Sequence, residues 1–143
     1  MSAHTARLYH RLQLAAHRAQ TAADRAVMEA AGITTAQAAV LAVTAAGEPM
    51  TQRAAALQLG LNESALSQMT ARLIKLGLIA RTRDKDDARA WQLQVTAEGR
   101  AALKRIHAPF AEINAVLDKA VGIGGIEDLA AQLTRIAASF GEA

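Results

Sequence analysis

The stretch LNESALSQMTARLIKLGLIARTRDKDDARAWQLQV, residues 61–95, decides the fold of this 143-residue chain. Its second residue, Asn62, is of a type that caps helix N-termini, and an apolar stripe at helical spacing follows. The stripe consists of Leu66, Met69, Leu73 and Leu76. Gly77 then stands where a C-cap glycine belongs. The runs LIARTR and AWQLQV are strand-like and flank DKDDAR, so the stretch predicts a helix followed by a β-hairpin.

A shorter helix is predicted directly before this one. Thr51 is a suitable N-cap for QRAAALQL, and Gly60 ends the run. Two helices joined by the tight turn GLN form a helix-turn-helix, and a hairpin directly behind it is a wing. The predicted fold is therefore mainly α with a small β-hairpin wing, a winged helix-turn-helix flanked by terminal helices.

The segments on the N-terminal side are also predicted to be helical. A first helix spans about residues 5–31, where apolar side chains recur at helical spacing, and Gly32 ends it. Thr34 and Gln37 have the spacing of a capping box and open a second helix, which Gly47 closes. The residues GEPM that follow are interpreted as a break.

Two further helices are predicted after the hairpin. Thr96 caps a long helix that continues to about residue 120, with a bend expected at Pro109. The segment GIGG interrupts it. A final amphipathic helix follows, with an apolar stripe of Ile126, Leu129, Leu133, Ile136 and Phe140.

Composition and charge narrow the classes of function. With no cysteine, the chain has neither a disulfide framework nor a thiolate metal site. No apolar run approaches the roughly 20 residues that span a bilayer, and no secretory signal is recognisable, so we expect a soluble cytoplasmic protein without a membrane partner. The net charge of +3 resides in residues 51–91, which hold seven Lys and Arg against four acids. Motifs for phosphate loops, zinc proteases and nucleophile elbows are missing, so no enzyme is predicted.

Polar side chains on the outward face of the longer helix are the first candidates for DNA contact. Ser64, Ser67 and Gln68 near its start suit base edges in a major groove, where Gln is able to read adenine with two hydrogen bonds. Arg72 and Lys75 further along suit phosphates. An ordinary solvated helix face is the alternative, and the short helix and hairpin beside it favour the DNA interpretation.

The wing and the start of the short helix supply further candidates, namely Thr51, Gln52, Arg83, Lys85, Asp87 and Arg89. A cation at a hairpin tip, here Arg89 or Lys85, is able to enter a narrow minor groove, whose negative potential attracts it. Asp87 either orients the Arg89 guanidinium or braces the tip. The alternative is a solubilising tip without a partner.

The whole pattern resembles the MarR family of bacterial transcriptional regulators. The resemblance rests on LIKLGLI (Leu73–Ile79) at the end of a recognition helix, the wing DARA (Asp87–Ala90) and VTAEG (Val95–Gly99) at the start of a long helix. It covers nearly the whole chain. Many relatives carry a basic residue where Gln68 stands, so a base preference does not carry over at that position.

The resemblance implies a homodimer that binds double-stranded DNA. The chain, residues 1–143, would be one domain with a DNA-binding lobe at about 33–95, while 1–32 and 96–143 would interleave with a partner. The two recognition helices would then enter successive major grooves of a palindromic operator. The alternatives are a winged-helix adaptor for an acidic protein and a ligand-binding helical dimer without DNA binding.

The resemblance also implies a repressor that a small anionic or aromatic effector releases from DNA. The candidate effector residues are Tyr9, His10, His17, Arg18 and His107, and for the histidines the alternative is an ordinary interface or surface position. His10 and His17 are seven residues apart, whereas a metal pair on one helix requires a separation of four, so no metal is expected. No other cofactor is expected either.

Overall fold

The computed structural model describes residues 7–87 and 89–141, within which the chain forms seven α-helices and three short strands. In chain order the elements are α1 (Leu8–Ala31), α2 (Thr35–Ala46), β1 (Met50–Thr51), α3 (Gln52–Leu59), α4 (Glu63–Lys75), β2 (Ile79–Arg83), β3 (Trp91–Val95), α5 (Ala97–Arg105), α6 (His107–Val121) and α7 (Ile126–Ser139). The strands form one antiparallel sheet in the order β1-β3-β2. The predicted fold class is confirmed, with α3 and α4 as the helix-turn-helix and β2–β3 as the wing.

Side-chain caps fix where the helices begin. The Thr34 hydroxyl accepts from the Gln37 backbone N–H at 3.1 Å, and the Gln37 side chain accepts from the Thr34 N–H at 3.0 Å, which completes a capping box. Thr51, Asn62 and Thr96 each accept from the backbone N–H three residues later. All four predicted caps are confirmed, and the helix-turn-helix lies within one residue of its predicted bounds.

The inner face of α4 departs from the predicted stripe at its C-terminal end. Leu66 and Leu73 are fully buried, but Leu76 is 39% exposed. Thr70, which the sequence pattern leaves out of the stripe, is buried between the two leucines. Leu76 is the C-cap residue, where the chain leaves the helix, so helical spacing no longer predicts its direction.

The third strand, β1, lies where the sequence pattern indicates only a break. Met50 pairs with Leu93 of β3. Glu48 secures this edge of the sheet, because one carboxylate oxygen accepts from the Val95 N–H and the other pairs with the Arg100 guanidinium at 2.5 Å. A strand of two residues is too short for alternation to be recognised in the sequence.

The long helix predicted after the hairpin is two helices, α5 and α6, which meet at Ile106. The break at Ile106 lies three residues before Pro109, the residue at which the sequence predicts a bend. Pro109 occupies the first turn of α6, where its ring is tolerated. Because proline has no N–H, the Arg105 carbonyl lacks its usual donor four residues on, and the helix is interrupted between the two residues.

The core joins the helix-turn-helix to the start of α5. Its fully buried apolar side chains include Val27, Ile33, Val40, Leu41, Leu66, Leu73 and Leu93. Thr96 donates its hydroxyl to the Gly77 carbonyl at 2.6 Å, and a Cβ added to Gly99 would lie 2.2 Å from the Leu78 carbonyl oxygen. This close backbone approach explains why a glycine follows three residues after the threonine cap.

The terminal helices leave apolar side chains uncovered. No residue of α6 or α7 is buried, although both carry large apolar side chains. Exposed examples are Phe110, Leu117, Leu129 and Leu133. Among the described residues no single helix is long and apolar enough to cross a membrane, and the pair α1 and α2, bent by 65°, qualifies by length and composition only.

Candidate nucleic-acid interface

The outer face of α4 presents the side chains that were predicted to contact DNA. Ser64, Gln68, Arg72 and Lys75 are exposed, and Ser67 is half-buried. The short polar groups lie near the helix start and the two cations near its end, with Arg72 and Lys75 in the last turn. The arrangement therefore offers hydrogen-bonding groups for base edges at one end and positive charge for phosphates at the other.

The turn between α3 and α4 holds this face rigidly. Gly60 adopts the left-handed conformation with φ 64°, and the Leu61 N–H donates to the Ala56 carbonyl at 3.0 Å. Asn62 then caps α4 by accepting from the Ala65 N–H at 2.7 Å. With Leu66 anchored in the core, the outward side chains of α4 have a fixed direction.

A polar cleft of about 410 Å³ connects the start of the helix-turn-helix to the wing. It is lined by Thr51, Gln52, Arg53, Glu63, Asp87, Arg89, Ala90 and Trp91. The Thr51 hydroxyl is committed to capping α3, and the side-chain oxygen of Gln52 is buried with no hydrogen-bond partner among the residues that the structure describes. Arg53 pairs with Glu63 at 3.5 Å across the two helix starts, with both side chains exposed. The cleft thus places the predicted helix-start residues beside the wing residues Asp87 and Arg89.

The acidic side chains of the wing form its tip. The Asp87 carboxylate accepts from the Arg89 backbone N–H at 3.0 Å, and the Asp84 carboxylate accepts from the Asp86 N–H at 2.9 Å. Of the two roles considered for Asp87, the structure therefore supports bracing the tip. Lys85 and Arg89 are exposed beside these turns, so the tip presents its cations to solvent.

The end of the wing strands next to the tip holds a cluster that the sequence analysis did not identify. The guanidinium carbons of Arg81 and Arg83 lie 4.3 and 4.6 Å from the centroid of the Trp91 ring. Arg83 is paired with Trp91 across the hairpin, and Arg81 lies two residues earlier on the same face of β2. In the sequence, the two arginines alternate along one predicted strand and the tryptophan lies at the start of the next. Only the strand register shows that they meet.

The effector candidates do not form one site in a single chain. His107 lines an apolar groove of about 540 Å³ between α2, α5 and α6, together with Thr35, Ala38, Ala39, Ala42, Ala45, Ala46, Leu103, Ile106 and Phe110. His10 and His17 line a separate, shallower groove on α1. Tyr9 and Arg18 are exposed on α1 and line neither groove. Within residues 7–87 and 89–141, no group of three or more His, Asp or Glu is placed to hold a metal ion.

This geometry defines a winged helix-turn-helix protein, and comparisons with known proteins agree. A sequence profile of the MarR family matches residues 31–90, which span the helix-turn-helix and most of the wing. Over these residues the chain is similar to the MarR family. Among curated proteins, no sequence match to the chain was found.

Solved structures extend the likeness to the terminal helices. The Staphylococcus aureus MepR–DNA complex superposes with a TM-score of 0.84 at 22% identity, over 92% of this chain and 97% of MepR. The Streptomyces coelicolor regulator PcaV, solved with its natural ligand, gives 0.79 at 27% identity, over 94% and 92% of the two chains. A probable transcriptional regulator from Pseudomonas aeruginosa gives 0.83 at 26%, over 90% and 96%.

Proposed function

We propose that this protein is a transcriptional regulator that binds double-stranded DNA in a sequence-specific way, as a homodimer on a palindromic operator. The observation that carries the proposal is the exposed polar face of α4 beside a wing whose tip presents Lys85 and Arg89. The solved complex of MepR with DNA supports the same use of this fold.

Each part of the interface has a distinct role in this proposal. Ser64, Ser67 and Gln68 contact base edges in the major groove. They lie near the start of α4, where small side chains let the helix backbone approach the DNA closely. Arg72 and Lys75 contact phosphates. Arg89, together with Lys85 and Arg83, contacts the adjacent minor groove and its phosphates, while Asp87 keeps the tip in shape.

A single lobe of this size offers one recognition helix, which supports a dimer. Two helices that read half-sites about 34 Å apart would double the contacted sequence and make the operator palindromic. The exposed apolar side chains of α6 and α7 supply the surface through which two copies would associate. The dimer would then bury surface that a single chain leaves in water.

The test is a titration of the protein with its own upstream DNA, a scrambled duplex and a pool of random duplexes, at several salt concentrations. We expect sequence-dependent affinity whose logarithm falls with the logarithm of salt by about 0.9 per neutralised phosphate. In Arg89→Ala, that slope should fall by about 1 per chain and affinity should drop about tenfold, because one exposed cation is lost from each wing. The thermal unfolding temperature should not change, since the Arg89 side chain is exposed.

Lys119→Ala is the matched control, because it removes one exposed cation from α6, which is part of neither the helix-turn-helix nor the wing. Its affinity and salt slope should equal those of the wild type. Normal binding by Arg89→Ala would make the wing a spacer. If the wild type bound none of the duplexes even at low salt, the DNA proposal would be wrong, and an adaptor for an acidic protein would become the better hypothesis.

The regulator is further proposed to be a repressor released by a small anionic aromatic effector. The groove between α2, α5 and α6 supports this step, because alanines, Leu103 and Phe110 suit an aromatic ring and His107 and Thr35 supply polar groups. The ligand-bound PcaV structure supports a small-molecule response in this fold. Release requires the effector to bind the DNA-competent geometry less tightly than another one.

Benzoate, the simplest anionic aromatic acid, is a suitable probe of this groove. It should raise the unfolding temperature of the wild type and weaken DNA binding in proportion to its concentration. Ala42→Trp fills the groove and should lose both responses, whereas Ala131→Trp, exposed on the side of α7 opposite its apolar stripe, should keep them. An equal response of Ala42→Trp and the wild type would place the effector elsewhere, and no response of the wild type would contradict the proposed effector class.

A further inference from the structure

The indole of Trp91 is the centre of a cluster at the end of the wing strands next to the tip. Arg81 and Arg83 both lie over this one ring, with their guanidinium carbons 4.3 and 4.6 Å from its centroid. The ring is half-buried, whereas both arginines are exposed. The same ring forms part of the wall of the polar cleft at the starts of α3 and α4. The cluster therefore joins the wing to the cleft beside the recognition helix.

The cluster places two positively charged guanidinium groups over one aromatic ring. Two guanidinium groups over one ring repel each other, and the negative face of the indole offsets only part of that repulsion. Across residues 7–87 and 89–141, no carboxylate forms an ion pair with Arg81. The nearby acids have other roles, since Glu63 pairs with Arg53 and Asp87 braces the tip. An anion placed against Arg81 would relieve the repulsion.

Stacking on the ring also restricts where the arginines point. A free arginine loses much rotamer freedom when it binds a phosphate, and a guanidinium already held on an aromatic face loses less. Its planar edge remains available for the two parallel hydrogen bonds that phosphate oxygens accept. Trp91 therefore prepares the arginines for a phosphate before any ligand arrives.

We propose that Trp91 is a positioning residue that holds Arg81, with Arg83 beside it, as a binding site for a phosphate of the DNA backbone next to the recognition helix. The proposal rests on the DNA-binding function above and adds Arg81 and Trp91 to its contacts. A phosphate contact carries no base preference, so this site contributes affinity and register equally on all sequences.

The experiment measures duplex binding by the full-length protein over a range of salt concentrations, with the random-duplex pool and the preferred sequence as probes. Arg81→Ala should lower the salt slope by about 1 per chain and weaken both duplexes by about the same factor, close to tenfold. Trp91→Ala should weaken binding at least about threefold although every cation remains, and Trp91→Phe should recover most of the loss because a phenyl ring also stacks on guanidinium. The salt slope of Trp91→Ala separates two roles of the ring, because loss of a merely structural tryptophan would leave the slope of the wild type unchanged.

Trp91 also gives a direct readout, because it is the only tryptophan in the chain. Its fluorescence should change when duplex is added to the wild type, and the change should be smaller in Arg81→Ala at saturating DNA. Lys119→Ala is again the control and should match the wild type in both measurements.

The outcomes separate this proposal from the function on which it rests. If the wild type binds DNA and Arg81→Ala keeps the full salt slope, the phosphate site is wrong while DNA binding stands. If the wild type binds no duplex at all, both are wrong. Should Trp91→Ala fail to fold, Arg81→Ala and Trp91→Phe still decide the result, because Arg81 is exposed and the phenyl ring preserves most of the packing.

Discussion

At the scale of single residues, Asp24 makes the clearest electrostatic contribution to the junction of α1 and α2. One carboxylate oxygen accepts the Thr35 hydroxyl at 2.5 Å and the Thr35 backbone N–H at 2.8 Å. These hydrogen bonds, first from the side chain and then from the backbone, hold the pKa of Asp24 below its ordinary value of 3.8, against a small opposing effect of burial. The carboxylate thus ties α1 to the start of α2, and it does so more strongly when it is ionised.

Asp24→Asn should lower the free energy of unfolding by about 1 kcal/mol at neutral pH, because an amide is a weaker acceptor than a carboxylate. The sign of the pH dependence follows from the lowered pKa. Asp24 holds its proton less tightly in the folded state than in the unfolded state. Its contribution to the free energy of unfolding is therefore complete above the ordinary pKa and is lost as pH falls through the lowered pKa. Urea unfolding of both proteins from pH 7 down to the acid limit of folding measures the difference.

Asp86→Asn is the control for this series, because Asp86 lies exposed at the wing tip and only its backbone N–H takes part in the turn. Its unfolding free energy should follow that of the wild type at every pH. A constant difference between the wild type and Asp24→Asn across the acid range would contradict the role given to the ionised carboxylate.

At the scale of elements, the sequence predicted those features that depend on neighbouring residues. Caps at Thr34, Thr51, Asn62 and Thr96 are local, since each side chain bonds the backbone three residues on, and all four are confirmed. The break between α5 and α6 was displaced by three residues, because proline acts on the carbonyl four residues before it. Local chemistry therefore gave the order of elements and most of their bounds.

Features that depend on pairing between distant segments were not predictable in this way. β1 exists because Met50 meets Leu93, and the cluster around Trp91 exists because the hairpin register sets Arg83 opposite Trp91. A shift of one residue would move Arg81 and Arg83 to the other face of the sheet. Exposed candidates such as Arg89 and Gln68 needed only a helix face or a loop, which is why the sequence already indicated them.

At the scale of the whole molecule, the two ends of the chain differ from the middle. The winged helix-turn-helix shares a closed core with the parts of α1, α2 and α5 that pack on it, whereas α7 buries none of its side chains and α6 likewise leaves its apolar residues exposed. Phe110, Leu117 and Leu129 are each between 37% and 43% exposed. Several large apolar side chains exposed on terminal helices are typical of a surface that associates with another chain, and here the proposed partner is a second copy.

The proposed homodimer makes a definite prediction about mass and about one side chain of α7. Sedimentation should give a species of twice the 15.0 kDa of one chain, and Leu133→Glu should weaken self-association at least about a hundredfold, because two symmetry-related carboxylates would be buried without partners. Leu57→Glu makes the same chemical change on α3, where the side chain is 84% exposed, and should leave the mass unchanged. A monomeric wild type would contradict the homodimer. A Leu133→Glu variant that still dimerises like the wild type would place the interface away from α7, and the recognition helices would then need another surface to set their spacing.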